Sequence, residues 1–210
     1  MYSMSGEDEV VAGFFGDYRG RFLELGCCDG KSISNCYLLA QKGWAGVGVE
    51  ASHRFVDEWF KNYAGMLDRV ALVNEAIGTK QPGWGVYYDC YKDVTASSVD
   101  ERLVGLGMSR AKHNIIHKYL VTPAELLARF PGPYDFVSID LDGVTLPVMR
   151  EIDFDAIKCR AVCVEYLHPP NAPSGVKENR EIQTYFEERG WRHLLTNEEN
   201  VIMVRGEAAK

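Results

Sequence analysis

The chain has 210 residues, of which 46% are hydrophobic and 25% are charged, and this ordinary globular composition excludes a disordered or fibrous protein. Its formal net charge of -7 disfavours a broad nucleic-acid surface, because such a surface needs clustered Lys and Arg. The length fits one domain over residues 1–210, with residues 1–20 as an N-terminal extension. These properties favour a small-molecule partner over nucleic acid.

The start of the sequence and the cysteine spacing predict a cytoplasmic protein. The first nine residues are acidic and lack the basic flank and apolar core of a signal peptide. No apolar run approaches the roughly 18 residues that a membrane span needs, so no membrane partner is expected. The six cysteines include no CxxC pair, which favours reduced thiols over a redox or zinc motif.

Short apolar runs alternate with amphipathic stretches, which predicts βαβ units in a Rossmann-like, doubly wound α/β fold. The first unit is a strand at Arg21–Leu25 and a helix that begins at Ser32, a suitable N-cap. The next is a strand over 45–50 and a helix over 52–63. Three more strands are expected where the sequence is nearly continuously apolar, as in strands buried on both faces; these are 70–74, 136–140 and 161–165.

A long stretch over residues 80–118 separates the third predicted strand from the fourth. It is rich in Gly, Tyr, Asp and Ser and is too long for a plain connector, so we predict an irregular insertion there. Loops at the carboxyl edge of such sheets hold ligands, which favours substrate recognition; a variable surface insertion is the alternative. A helix over 122–130 should follow. The chain should close with a helix over 176–189 and a hairpin of 191–195 and 201–204.

The turn over residues 24–30 lies between a predicted strand and a predicted helix. Gly26 lets the backbone bend and approach a ligand, and Gly30 leaves room for helix packing. The spacing is Gly-x-x-x-Gly rather than the Gly-x-Gly-x-x-Gly of dinucleotide enzymes, which lowers the expectation of NAD. Glu24 is placed to receive the ammonium of S-adenosylmethionine through a water or a carbonyl.

Two further acidic residues follow the next strands. Glu50 ends the second strand about twenty residues after the turn, where a carboxylate can accept both ribose hydroxyls of a nucleoside. Glu75 and Ala76 follow the third strand, where a carboxylate and a backbone amide can meet an adenine. The alternatives are an ordinary glutamate before a helix and an ordinary turn glutamate.

Asp140 and Glu165 close the fourth and fifth predicted strands. Neighbouring strand ends lie roughly 5 Å apart, so the two carboxyl groups should share one crevice. With His168 they are the candidate catalytic bases for the acceptor. A metal-assisted version places Mg²⁺ on Asp140, Asp142 and Glu165. Helix caps or loop contacts are the alternative reading.

Several of these segments resemble, in order, the FkbM-like branch of class I S-adenosylmethionine-dependent methyltransferases, from about Phe14 to Val204. The matching segments are 22–30, the Ser34-Asn35 pair, 43–50, 74–78, 135–143 and 162–166. The resemblance implies a mostly parallel seven-stranded sheet with helices on both faces and an antiparallel last strand. It also implies methyl transfer to a hydroxyl of a sugar or small natural product. Ala51 stands where the family often has proline, and Cys27 and Cys28 where it has small or amide residues.

Taken together, the motifs and the resemblance predict a set of cofactor contacts: Glu24, Gly26, Asp29, Gly30, Ser34, Glu50, Ala51, Glu75, Ala76 and Asp140. Two other functions stay open at this point. An NAD-dependent oxidoreductase would use the same sheet and Glu50. A non-catalytic methyltransferase-like domain would keep the cofactor and act as a binding or scaffold protein. The oligomeric state is also open.

Overall fold

The computed structural model describes residues 1–90, 97–100, 113–166 and 173–206. The strands are β1 (Arg21–Leu25), β2 (Ala45–Val49), β3 (Val70–Val73), β4 (Ala76–Ile77), β5 (Gly83–Cys90), β6 (His113–Val121), β7 (Phe136–Ile139), β8 (Ala161–Glu165), β9 (Arg192–Thr196) and β10 (Asn200–Val204). The helices are α1 (Glu7–Phe15), α2 (Tyr37–Gln41), α3 (Val56–Asn62), α4 (Pro123–Arg129), α5 (Thr145–Glu151) and α6 (Pro173–Glu187), and a 3₁₀ turn (His53–Phe55) precedes α3.

Seven strands form one sheet in the order β3-β2-β1-β7-β8-β10-β9. The first five strands of this order are parallel to one another, and β10 runs antiparallel to both β8 and β9. The chain order reverses between β1 and β7, and ligands of open α/β sheets bind at such a reversal, beyond the carboxyl ends of the strands. The predicted sheet, with its antiparallel last strand, is confirmed.

Both faces of this sheet are covered, because alternate residues of the strands enter different hydrophobic clusters. Leu23 and Val137 lie in one cluster. Phe22 and Phe136, one position earlier on the same strands, lie in the other. Side chains alternate between the two faces of a strand, so a strand buried on both faces reads as a continuous apolar run. This burial explains why the strand predictions agree with the structure to within a residue.

The prediction of a helix that begins at Ser32 is wrong, because α2 begins only at Tyr37. The backbone N–H of Ser32 instead donates to the Asp29 carboxylate over 2.7 Å, which holds a turn after Gly30. The Ser34 hydroxyl accepts from the backbone N–H of Tyr37 over 3.0 Å. Ser34 therefore holds the chain that leads into α2, and the N-cap position itself is Cys36, which has no side-chain capping bond.

The prediction that residues 80–118 are irregular is also wrong, because β5 and β6 lie at its two ends. They pair antiparallel from Gly83 opposite Leu120 to Cys90 opposite His113, and β4 joins β6 in parallel to give a separate three-stranded sheet. Glycine and polar residues within the strands hide this pairing from a local pattern. We call this β4-β6-β5 sheet the small sheet.

The N-terminal extension contains helix α1, which the sequence analysis did not predict. Its first residue, Glu7, is fully buried, and its carboxylate accepts hydrogen bonds from the side-chain amides of Asn197 and Asn200 over 2.6 and 2.9 Å. Burial works to raise the pKa of Glu7, but hydrogen bonds from the backbone of Glu7 and Ser5 and from the Asn197 side chain lower it overall. The extension is thereby fixed to the turn between β9 and β10.

Within the described residues, the helices are too short or too polar to cross a membrane.

Candidate functional site

A cavity of about 230 Å³ opens at the carboxyl ends of β1, β2, β7 and β8, where the strand order reverses. The residues predicted to contact a cofactor that line it are Gly26, Glu50, Ala51, Glu75, Ala76 and Asp140. The candidate catalytic Glu165 lines it as well, beside Asp142. The topology thus brings together residues that are far apart in the sequence.

Gly26 forms the sharp bend at the end of β1. Its φ is +82°, and a Cβ at this position would lie 1.9 Å from the backbone oxygen of Asp140. The N–H groups of Gly26 and Cys27 both donate to the carbonyl of Val49, over 2.9 and 3.1 Å. The bend therefore fits between the ends of β2 and β7 only without a side chain.

Glu50 lies at the base of the cavity and is only 6% exposed. Its Oε2 accepts the N–H of Cys28 over 2.9 Å, and its Oε1 accepts the N–H of Ser52 over 2.6 Å. Burial raises the pKa of Glu50 to about 7, against these two donors and the positive charge of Lys118. A carboxylate has about four lone-pair positions, so each oxygen can still accept one hydroxyl.

Glu24 does not line the cavity and is 3% exposed. Its Oε1 accepts from the Ser34 hydroxyl over 2.8 Å and from the N–H groups of Asn35 and Cys36. Its Oε2 is buried and has no hydrogen-bond partner among the described residues. Burial raises the pKa of Glu24 to about 7, because desolvation outweighs the donors. An unpartnered buried carboxylate oxygen is suited to an added donor such as a water or an ammonium group.

Four residues predicted to contact a cofactor do not line the cavity: Glu24, Asp29, Gly30 and Ser34. Gly30 makes room for helix α3, since a Cβ there would lie 2.5 Å from both Trp59 and Tyr63. Asp29 holds the turn that follows, and Ser34 supports Glu24. Direct cofactor contact by these four residues stays a prediction.

Glu75 and Ala76 form the side of the cavity nearest the small sheet. The Glu75 carboxylate makes two contacts to the Arg129 guanidinium, over 2.6 and 3.2 Å. Ala76 begins β4 and is 1% exposed. This side of the cavity is therefore held by an ion pair and a strand.

Asp140 and Glu165 end the neighbouring strands β7 and β8 and hydrogen-bond to each other through their carboxyl groups. Desolvation raises the pKa of both groups, and the negative charge of Asp140 raises that of Glu165 further. A hydrogen bond between two carboxyl groups requires a proton on one of them. We call them the carboxyl pair. His168, the third predicted base, lies outside the described residues.

The proposed Mg²⁺ site at Asp140, Asp142 and Glu165 gains no support from the structure. Within the described parts of the chain, no group of three His, Cys, Asp or Glu side chains has an arrangement that could hold a metal ion. The backbone oxygen of Asp142 accepts the Ser98 hydroxyl. The carboxyl pair has a protein partner for each of its members without a cation.

Several lining residues were missed by the sequence analysis. Met4 comes from the N-terminal extension, Tyr87 from β5, and Glu199 from the turn between β9 and β10. No local motif marks these positions, since each reaches the cavity through distant packing. Tyr87 lies within β5, so recognition of that strand would have been the signal for it.

No protein-family model matches the chain, and no curated protein matches it. Solved structures do match. One is the O-methyltransferase TomG of Streptomyces achromogenes, which is involved in tomaymycin synthesis and was crystallised with S-adenosylmethionine. It is 13% identical to this chain with a TM-score of 0.52, and the match covers 97% of this chain and 81% of TomG. An O-methyltransferase of Bacillus cereus in complex with S-adenosylhomocysteine is 14% identical with a TM-score of 0.51, over 97% and 82%. A precorrin-6y C5,15-methyltransferase of Geobacter metallireducens is 8% identical with a TM-score of 0.52, over 95% and 86%. The chain therefore has the fold of the class I methyltransferases.

Proposed function

We propose that this protein is an S-adenosylmethionine-dependent methyltransferase that methylates a hydroxyl group of a small acceptor, a sugar or a natural product. One observation carries the proposal. A single cavity joins the Gly26 bend, the Glu50 carboxylate and the carboxyl pair at the edge where this fold binds ligands. Two similar structures of this fold were crystallised with S-adenosylmethionine or its product.

The cofactor side of the cavity is the side of β1 and β2. Glu50, fixed by the N–H groups of Cys28 and Ser52, accepts the two ribose hydroxyls. Ala76 and the chain around Glu75 contact the adenine, and the Gly26 bend admits the amino-acid part close to the backbone. Since both Glu50 oxygens are already oriented, binding costs little side-chain ordering.

The acceptor side is the side of β7 and β8. S-adenosylmethionine, when bound, supplies a methyl group on a positively charged sulfonium. The protein has to align the acceptor oxygen with that carbon and to exclude water. A hydrogen bond within the carboxyl pair uses one proton, which leaves the second carboxyl group as the base for the proton of the acceptor hydroxyl.

Residues from the small sheet and the chain beyond it form the remaining wall. Tyr87 and Ser98 face the cavity there, opposite Met4 of the N-terminal extension. We assign acceptor recognition to this wall. It agrees with the sequence-based expectation that residues 80–118 select the substrate.

The experiment is a thermal-shift comparison of S-adenosylhomocysteine with NAD. We expect a concentration-dependent rise in Tm with S-adenosylhomocysteine and no rise with NAD, because a ligand that binds only the folded state stabilises it. The Glu50→Gln variant removes the proposed ribose-binding carboxylate and should lose most of this rise in Tm. Stabilisation by NAD without S-adenosylhomocysteine would reject the proposal in favour of an oxidoreductase.

Catalysis is tested separately with methyl-labelled S-adenosylmethionine and a panel of hydroxylated small molecules. Transfer of label to an acceptor by the wild type, and its loss in Asp140→Asn, supports an enzyme. Tight cofactor binding with no transfer to any acceptor would favour a binding or scaffold protein.

A further inference from the structure

The small sheet contacts the Glu50 loop through two separate chains of hydrogen bonds. The first begins in β5, where Asp89 is fully buried and its Oδ1 pairs with Arg54 over 2.9 Å. Arg54 Nε donates to the Ser52 hydroxyl over 3.1 Å. The backbone N–H of Ser52 donates to Glu50 Oε1 over 2.6 Å. Three consecutive polar contacts therefore connect Asp89 of the small sheet to Glu50, the residue proposed to bind the ribose.

The second chain begins in β6. Lys118 Nζ donates to the Asn74 side-chain oxygen over 2.9 Å and to its backbone oxygen over 3.2 Å. The Asn74 side-chain amide donates to the backbone oxygen of Glu50 over 2.8 Å. Lys118 is half-buried, and desolvation lowers its pKa while Glu50 and Asp89 work against that change. A cation with its charge partly removed from water is placed where it faces Glu50.

We propose that the small sheet positions the Glu50 carboxylate through Lys118 and Asp89, so that both residues tune cofactor binding without touching the cofactor. This inference rests on the proposed function, which assigns Glu50 to the ribose. The two residues act on Glu50 with opposite charges, since Lys118 favours its carboxylate form and Asp89 opposes it. They are positioning residues, because each acts through Glu50 and its loop.

Other titratable groups also face Glu50, but they carry no charge near neutral pH. Cys27 and Cys28 come from the Gly26 bend, and Tyr87 comes from β5; burial raises the pKa of all three. Among the described residues, the charges of Lys118 and Asp89 act on Glu50 directly, and the Arg54 guanidinium lies between Asp89 and the Ser52 hydroxyl. A change of either charge should therefore move the titration of Glu50 in a direction fixed by its sign.

The experiment measures the Glu50 titration by ¹³C NMR of its carboxyl group in the ligand-free protein. Lys118→Met should move the Glu50 midpoint to higher pH, and Asp89→Asn should move it to lower pH. Lys118→Arg keeps the charge and should restore the wild-type midpoint. Lys61→Met removes an exposed lysine that pairs with Glu58, and it should leave the midpoint unchanged. Should Lys118→Met fail to fold by circular dichroism, Lys118→Gln replaces it.

The same variants are then titrated with S-adenosylhomocysteine by calorimetry. At pH 7, Lys118→Met should weaken S-adenosylhomocysteine binding about three- to tenfold. The reason is that a rise of up to about one unit in the pKa of Glu50 lowers the fraction of its carboxylate form. Unchanged Glu50 midpoints in both variants, or shifts of the same sign, would overturn the inference. Absence of S-adenosylhomocysteine binding in the wild type would reject the proposed function, while the NMR titration would still decide whether the small sheet acts on Glu50.

Discussion

The two sides of the cavity bury their carboxyl groups in different ways. On the side of β1 and β2, Glu50 and Glu24 are each held by backbone N–H donors at fixed distances. On the side of β7 and β8, Asp140 and Glu165 hold each other. Burial raises the pKa on both sides, but fixed donors orient an acceptor for a ligand, whereas a shared proton can move. The comparison assigns binding to the first side and proton transfer to the second.

The largest effect is expected from neutralising the carboxyl pair. Asp140→Asn and Glu165→Gln keep a polar side chain but cannot take up a proton at the same pH, so kcat for methyl transfer should fall about 10²- to 10⁴-fold. Affinity for S-adenosylhomocysteine should change far less. Steady-state kinetics on the first acceptor that turns over would measure both.

Glu198→Gln is the control for this loss, because it removes an exposed carboxylate beside Glu199 that does not line the cavity. The wild-type rate should also rise with pH, since the raised pKa values keep the pair protonated to a higher pH than ordinary carboxyl groups. Variants of the pair with near wild-type kcat would remove the assignment of proton transfer to this side.

The next effect concerns the bend that joins the two sides. Gly26→Ala places a Cβ against the Asp140 carbonyl and also strains a positive φ, so the free energy of unfolding should fall by about 2–4 kcal/mol. Gly190→Ala is a matched control, because its φ is +77° and no atom lies within 4 Å of its Cβ. It should cost only about 1 kcal/mol. Equal losses in urea unfolding of the two variants would show that the close approach at Gly26 is unimportant.

A smaller effect concerns Glu24 and the pH dependence of stability. Its pKa is about 7 in the folded chain against an ordinary value of 4.5, so the folded state binds the proton more tightly than the unfolded state. The free energy of unfolding should therefore decrease as pH rises from about 4.5 to about 7, by up to about 3 kcal/mol from this group. Glu24→Gln should remove that decrease.

Urea unfolding of the wild type and Glu24→Gln between these pH values measures the difference. Other carboxyl groups contribute equally to both proteins and cancel. Glu58→Gln, at an exposed carboxylate, should leave the wild-type slope in place. A wild-type slope in Glu24→Gln would mean that the hydrogen-bond donors offset desolvation, so that the Glu24 pKa is not shifted on folding.

The large sheet could be predicted from the sequence because its central strands are buried on both faces. Val47 and Val49, or Val162 and Val164, lie in continuous apolar runs that need no knowledge of distant partners. Gly26 and Glu50 could be placed at the cavity for a related reason, since each follows directly after a strand. The start of α2 was misplaced because Asp29 and Ser34 hold an extra turn that no periodicity reveals.

The rest of the site depends on long-range contacts. Met4 lies at the cavity in a segment that Glu7 ties to Asn197 and Asn200, about 190 residues away in the sequence. The small sheet depends on pairing between β5 and β6, so the link from Lys118 to Glu50 has no local signal. Local sequence patterns therefore predict the residues at the strand ends, whereas the other residues that line the cavity are brought there by tertiary packing.

The most direct test of the account is the crystal structure of the complex with S-adenosylhomocysteine. We expect the ribose hydroxyls within hydrogen-bond distance of both Glu50 carboxylate oxygens, and the sulfur on the side of the cavity that faces the carboxyl pair. A ligand bound away from Glu50, or with its sulfur turned away from Asp140 and Glu165, would contradict the division of the cavity into a binding side and a proton-transfer side.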